Sequence, residues 1–68
     1  MNLTVNGEPT SVGGELTVAE MVSHLMGGPP ARGLAVAVNG EVVPRSSWTV
    51  TALGDGDAVE ILTAVQGG

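Results

Sequence analysis

An α+β fold is what this sequence predicts: a mixed sheet of four to five strands with one helix packed on one face. Three observations predict it. Two Asn-Gly pairs, Asn6-Gly7 and Asn39-Gly40, each separate short apolar runs, and Asn-Gly is the strongest short hairpin signal because both residues tolerate φ > 0. One segment, Thr17 to Met26, carries helical periodicity. A final apolar run, Ala58 to Val65, is followed by Gln66-Gly67-Gly68.

Leu3 and Val5 alternate with Asn2, Thr4 and Asn6, the period of a strand with one buried face. Glu8 to Val12 then reads as the return strand, with Pro9 marking it as an edge because proline cannot donate to a ladder. Gly13-Gly14 breaks it. Thr17-Val18-Ala19-Glu20 fits a capping box, in which the Thr17 hydroxyl accepts the Glu20 N–H and Glu20 reaches back. Val18, Met21, Val22, Leu25 and Met26 follow at i, i+3, i+4, i+7 and i+8, a stripe predicted to fill the core. Gly27-Gly28 stops the helix and Pro29-Pro30 prevents its resumption. Leu34 to Val38, apolar throughout, reads as a central strand, with Glu41 to Val43 a short partner ended by Pro44. Arg45 to Trp48 is a single turn that folds Trp48 onto the core, and Asp55-Gly56-Asp57 is a tight turn into the last strand. A helix between two strands of one sheet usually makes a right-handed crossover, which places a parallel pair in an otherwise antiparallel sheet. That is the β-grasp arrangement of ubiquitin-like domains, expected over residues 1–65, with 66–68 a flexible tail.

Composition narrows the function. The chain has 68 residues, 43% of them apolar but with Trp48 the single aromatic. That suffices for one thin core and leaves little for a deep substrate pocket, so a self-contained enzyme is disfavoured. There are no cysteines, hence no disulfide framework or thiolate metal site, which favours a reducing, cytoplasmic setting. Neither a signal peptide nor a membrane span is read. The net charge of −5 repels phosphate backbones and argues against nucleic acid; it suits a basic protein surface and simple solubility equally well. Both basic residues are arginines, Arg32 and Arg45, so no side-chain amine can trap an activated carboxyl group.

The chemistry then falls to the end of the chain. Gly67 and Gly68 lack a Cβ, giving a thin tail and an unhindered α-carboxylate that another protein's channel can admit. Just upstream, Val59, Ile61, Thr63 and Val65 share one face of the last strand; Ala58, Glu60, Leu62 and Ala64 share the other. Glu60 should face water, placing Leu62 and Ala64 beside it as an exposed patch for partner docking.

The segments Asn2-Leu3-Thr4-Val5-Asn6-Gly7-Glu8 and Val36-Ala37-Val38-Asn39-Gly40-Glu41-Val42-Val43-Pro44-Arg45-Ser46 carry a resemblance. So do Asp55-Gly56-Asp57, Val59-Glu60-Ile61 and Ala64-Val65-Gln66-Gly67-Gly68. In this order and length they resemble the ThiS-type sulfur carriers, ubiquitin-like proteins of thiamin (thiazole) biosynthesis. The Gly27-to-Gly33 loop has no such signature. The resemblance implies a carrier rather than a catalyst, with no cofactor of its own. It implies a ThiF-type adenylyltransferase that uses ATP and Mg to adenylate the Gly68 carboxylate. A sulfurtransferase or cysteine desulfurase system then supplies the sulfur of a thiocarboxylate, which a ThiG-type thiazole synthase consumes. By the same match Gly67 and Gln66 are the residues threaded into the partner.

Other readings stay open at this point. The small subunit of molybdopterin synthase and the carriers of cysteine biosynthesis share the fold and the diglycine end. A non-catalytic β-grasp binding module with an inert tail belongs to a different class, as does a protein-conjugating modifier. His24 lies four residues after Glu20, off the apolar stripe, and reads as solvated. Ser11, Ser23, Ser46 and Ser47 lack a matching base. Asp55 and Asp57 lack the further oxygen ligands of a calcium loop. Arg45 reads equally as a contact for a partner's acid and as a plain surface residue.

Overall fold

The computed structural model describes residues 1–27 and 33–63; residues 28–32 and 64–68 lie outside the described part. β1 (Asn2–Val5) and β2 (Glu8–Ser11) form an antiparallel hairpin in which Val5 pairs with Glu8. Between them Asn6 and Gly7 take φ of 50° and 82°, the left-handed backbone that a two-residue turn demands. The ladder continues one residue past β2, where the Val12 N–H donates to the Met1 carbonyl at 2.9 Å.

α1 (Val18–Met26) begins with the predicted capping box. The Glu20 N–H donates to Thr17 Oγ1 at 3.1 Å, and Glu20 Oε1 accepts the Thr17 N–H at 2.9 Å. The other first-turn donors reach the loop after β4: the Val18 N–H meets the Thr51 carbonyl at 2.9 Å and the Ala19 N–H meets that of Trp48 at 3.0 Å. No donor of this helix start is left over, so the loop is held against it. Gly27, in the left-handed region at φ 73°, closes the helix through its N–H on the Ser23 carbonyl.

The stripe needs one correction. Val18, Met21 and Val22 are buried, but Leu25 and Met26 are 45% and 46% exposed. Periodicity fixes which way a helix face points, not how far along the helix the sheet continues beneath it.

β3 (Leu34–Val38), β4 (Glu41–Val43) and β5 (Ala58–Thr63) complete a five-stranded sheet in the order β2-β1-β5-β3-β4. β1 and β5 are parallel and the other neighbours antiparallel. This is the ubiquitin-like β-grasp fold. The expected central strand, β3, is interior but not central; β5 takes the middle. Nor is β3 buried on both faces, because helix cover is on one face only: Leu34 and Val36 are buried, Ala35 is exposed.

The core holds Leu3, Val18, Met21, Val22, Leu34, Val36, Trp48, Leu53, Val59 and Ile61. Trp48 follows a single 3-10 turn, Arg45–Ser47, and is 3% exposed. Its Nε1–H donates to the Val43 carbonyl at 2.8 Å, satisfying the one polar atom its burial would strand. The Arg45 guanidinium lies over the ring, 5.1 Å from its centroid, so Arg45 is in part a lid on Trp48. Thr63, expected to share the buried face of Val59 and Ile61, is exposed; the alternation outruns the core.

Candidate functional site

Directly opposed residues of neighbouring strands show their side chains on the same face. Leu62 opposes Ala35, Glu60 opposes Ala37, and Ala37 opposes Val42. On the far side Thr4 pairs with Ala58 and Pro9, and Asn2 with Ser11. The face without the helix is therefore divided into two lanes. One, over β5, β3 and β4, is apolar: Ala58, Leu62, Ala35, Ala37 and Val42. The other, over β1 and β2, is polar, and in it Ser11 Oγ donates to Asn2 Oδ1 at 3.0 Å.

Leu62 is 62% exposed and Val42 74% exposed. Glu60, also exposed, stands amid the apolar lane. The predicted placement of Glu60 and Leu62 on the open face is what the structure shows. Ala64, Gln66, Gly67 and Gly68 lie outside the described residues. Ala35, Ala37 and Val42 belong to the patch but were not anticipated from the sequence. An alternation was present in Leu34–Val38, yet alanine is apolar too, and it masked the period of two.

β5 is gripped from both flanks by the turn asparagines. The Asn6 N–H donates to the Val59 carbonyl at 2.9 Å. Its side chain then pairs with Ile61 twice, Oδ1 accepting the Ile61 N–H at 2.8 Å and Nδ2 donating to the Ile61 carbonyl at 3.2 Å. At the start of β5, Asn39 Oδ1 accepts the Ala58 N–H at 3.0 Å and its Nδ2 donates to Asp57 Oδ1 at 3.0 Å. Asp57 Oδ2 accepts the Gly54 N–H at 2.7 Å, and Asp55 Oδ1 accepts that of Asn2 at 2.7 Å. The Asp57 carboxylate is thus spent on closing its own turn, and that of Asp55 on tying the turn to the start of β1. The Gly54 amide first, and then the Asn39 carboxamide, hold the Asp57 carboxyl below the usual carboxylate range, with slight burial opposing them.

On the opposite side a hollow of about 240 Å³ lies between β2 and α1, lined by Val5, Thr10, Val12, Leu16, Met21 and His24 among others. It falls short of the roughly 300–1,000 Å³ of ordinary small-molecule sites. Ser11 also borders it, but its hydroxyl is turned to Asn2, so it forms no pair with His24 there. His24 is exposed. Glu20 Oε1, near which it was expected, instead takes both the N–H and the hydroxyl of Thr17.

Comparison with known proteins agrees with this geometry. A crystal structure of a thiamine biosynthesis protein (ThiS) from Geobacter metallireducens is 46% identical, with a TM-score of 0.84 and full coverage of both chains. The solution structure of a thiamine biosynthesis protein from that organism is 44% identical, with a TM-score of 0.79, over all of this chain and 88% of the other. A protein of Paramagnetospirillum magneticum named thiazole synthase is 38% identical over all 68 residues, and the chain spans only 20% of its length. A model of the ThiS family matches residues 3–68. With that match across nearly its whole length, on a β-grasp sheet whose bare face bears an apolar lane, the chain belongs to the ThiS family of ubiquitin-like sulfur carriers.

Proposed function

We propose that this chain carries sulfur for thiazole formation in thiamin biosynthesis on the carboxylate of Gly68. The observation that carries the reading is the apolar lane centred on Leu62, which ends one residue before the last described position of β5 and leads into Ala64-Val65-Gln66-Gly67-Gly68. An exposed apolar surface rimmed by polar residues marks a protein docking site. Here it adjoins a stretch slim enough to thread.

The chemistry needs another enzyme. A carboxylate is a poor electrophile, because sulfur attacking it would have to expel oxide. In the proposed sequence a ThiF-type adenylyltransferase, with ATP and Mg bound on its side, directs a Gly68 oxygen onto the α-phosphorus of ATP. Pyrophosphate leaves and an acyl adenylate forms. The terminal sulfur of a donor persulfide, delivered by a sulfurtransferase or cysteine desulfurase system, attacks the acyl carbon and AMP departs. A thiol then cleaves the S–S bond, leaving a thiocarboxylate and a disulfide of the donor. A ThiG-type thiazole synthase would take that sulfur, a reading supported by the relative bearing that name.

The protein supplies reach and recognition. Gln66, Gly67 and Gly68 extended span roughly 10 Å. Ordering each residue costs about 1–2 kcal/mol, which backbone hydrogen bonds in the channel and docking of Leu62, Ala64 and Glu60 must offset.

Intact mass after incubation with the adenylyltransferase, MgATP and a sulfur source tests the reading. Exchange of one oxygen for sulfur, localised to Gly68 by fragmentation, is the expected result. A mass that stays unchanged while a known carrier is converted alongside would overturn it.

A further inference from the structure

β1 stops at Val5, yet β5 runs on to Thr63. The register between these parallel strands sets Thr4 opposite Ala58 and Val5 opposite Val59, and its last backbone bond is that of the Asn6 N–H to the Val59 carbonyl. From Glu60 onward, among the described residues, the strand partner of β5 is β3 alone, which it follows as far as Leu34 opposite Thr63. On the flank that β1 has vacated stands the carboxamide of Asn6. Its donor and acceptor both engage the peptide groups of Ile61, at 3.2 and 2.8 Å. The side chain does there what one further residue of β1 would have done. It can do so because Asn6 sits at φ 50°, turning its own backbone away into the hairpin while the side chain stays alongside β5.

Asn39 provides an internal counterpart. It too precedes a glycine, has positive φ (52°), and spends its carboxamide on β5. Its partners, however, are Ala58 and Asp57, at the opposite end of the strand from the tail. The two residues are alike in local backbone, although the carboxamide bonds of Asn6 are part-buried and those of Asn39 exposed. They differ in which end of β5 they hold.

We infer that Asn6 is a positioning residue for the reacting end: its carboxamide anchors Ile61, two residues before the end of β5, and so fixes the base from which the sequence runs on to Gly68. The inference rests on the carrier reading given above. Docking energy comes from the open face, which Asn6 does not form, so Asn6 governs how often a docked tail is aligned rather than how tightly the domain binds. A misplacement of about 1 Å at a reacting centre can cost up to about a hundredfold in rate.

The test compares Asn6→Gly with Asn39→Gly, since glycine keeps the left-handed backbone while deleting the carboxamide. Pyrophosphate release with the adenylyltransferase and MgATP gives kcat and KM for each carrier. Amide hydrogen exchange in the isolated domain follows Ile61, whose N–H is held by Asn6, and Leu62, which opposes Ala35 of β3. For Asn6→Gly the expected result is a fall in kcat of about tenfold with KM changed less than about twofold, and faster exchange at Ile61 and Leu62. For Asn39→Gly, both kinetic constants stay within about twofold of wild type and those two amides stay protected. Equal kcat losses in the two variants, a loss confined to KM, or unaltered exchange at Ile61 in Asn6→Gly would overturn the inference. Absence of adenylation of the wild-type chain would instead remove the carrier reading; the exchange comparison, which needs no partner, would still decide whether Asn6 anchors the strand.

Discussion

Leu62→Asp separates docking from folding. Leu62 is 62% exposed, so roughly two-fifths of it is covered on folding; at about 1.5–3 kcal/mol for a whole leucine, that is on the order of 1 kcal/mol. Aspartate is also a poor strand residue, by up to about 1 kcal/mol. The domain should therefore stay folded with a melting temperature on the order of 10 °C lower. Docking would cover the remaining three-fifths of the leucine, roughly 1–2 kcal/mol. A carboxylate forced into the same drying contact adds at least about 2 kcal/mol. Binding to the adenylyltransferase should weaken by about 100- to 1,000-fold, since each 1.4 kcal/mol is about tenfold. Calorimetric titration of wild type and variant, with circular dichroism to confirm folding, measures both quantities. A folded Leu62→Asp that binds within about threefold of wild type would refute the docking assignment, and a variant that fails to fold would show that Leu62 belongs to the core.

Three further outcomes are expected. Thr17→Ala removes the hydroxyl that accepts the Glu20 N–H at 3.1 Å and should cost about 1 kcal/mol, lowering the melting temperature by about 4–8 °C without altering partner affinity. Gly67→Val should leave thermal unfolding unchanged and abolish ATP-dependent adenylation, because a β-branched side chain widens the stretch to be threaded; normal turnover by that variant would end the threading account. The Asp57 carboxyl titrates lower in the folded chain than in the unfolded one. Its stabilisation is accordingly present above the unfolded value near 3.8 and is lost as pH falls through the folded value. Thermal melts of wild type and Asp57→Asn should therefore differ at neutral pH and converge in strong acid; a constant gap across that range would contradict the linkage.

Which parts were legible in the sequence follows from how local each signal is. Capping at Thr17 and Glu20 depends on four consecutive residues, and the Asn-Gly hairpins on two; nothing distant has to be known. Trp48 could be placed inside because so large an apolar group has few alternatives in a small chain. By contrast, the exposure of Leu25 and Met26 depends on where cover over the helix runs out. The position of β5 between β1 and β3 depends on pairing across more than fifty residues. At the site, Glu60 betrayed the outward parity of β5, and Leu62 followed from it. β3 contains no charged residue, so its outward alanines could not be distinguished from core. The double role of the asparagines was invisible for another reason: a turn signal describes the backbone and says nothing about where the carboxamide goes.

Alanine on the outward side of β3 has a colloidal consequence. Leucine or isoleucine at Ala35 and Ala37, beside Leu62 and Val42, would give a broad greasy plane on which two copies could stack. Methyl groups keep that plane shallow, and Glu60 charges its middle, so like molecules repel where a complementary surface could close. A bare sheet of this kind resists stacking on its own copies without closing itself to a complementary surface.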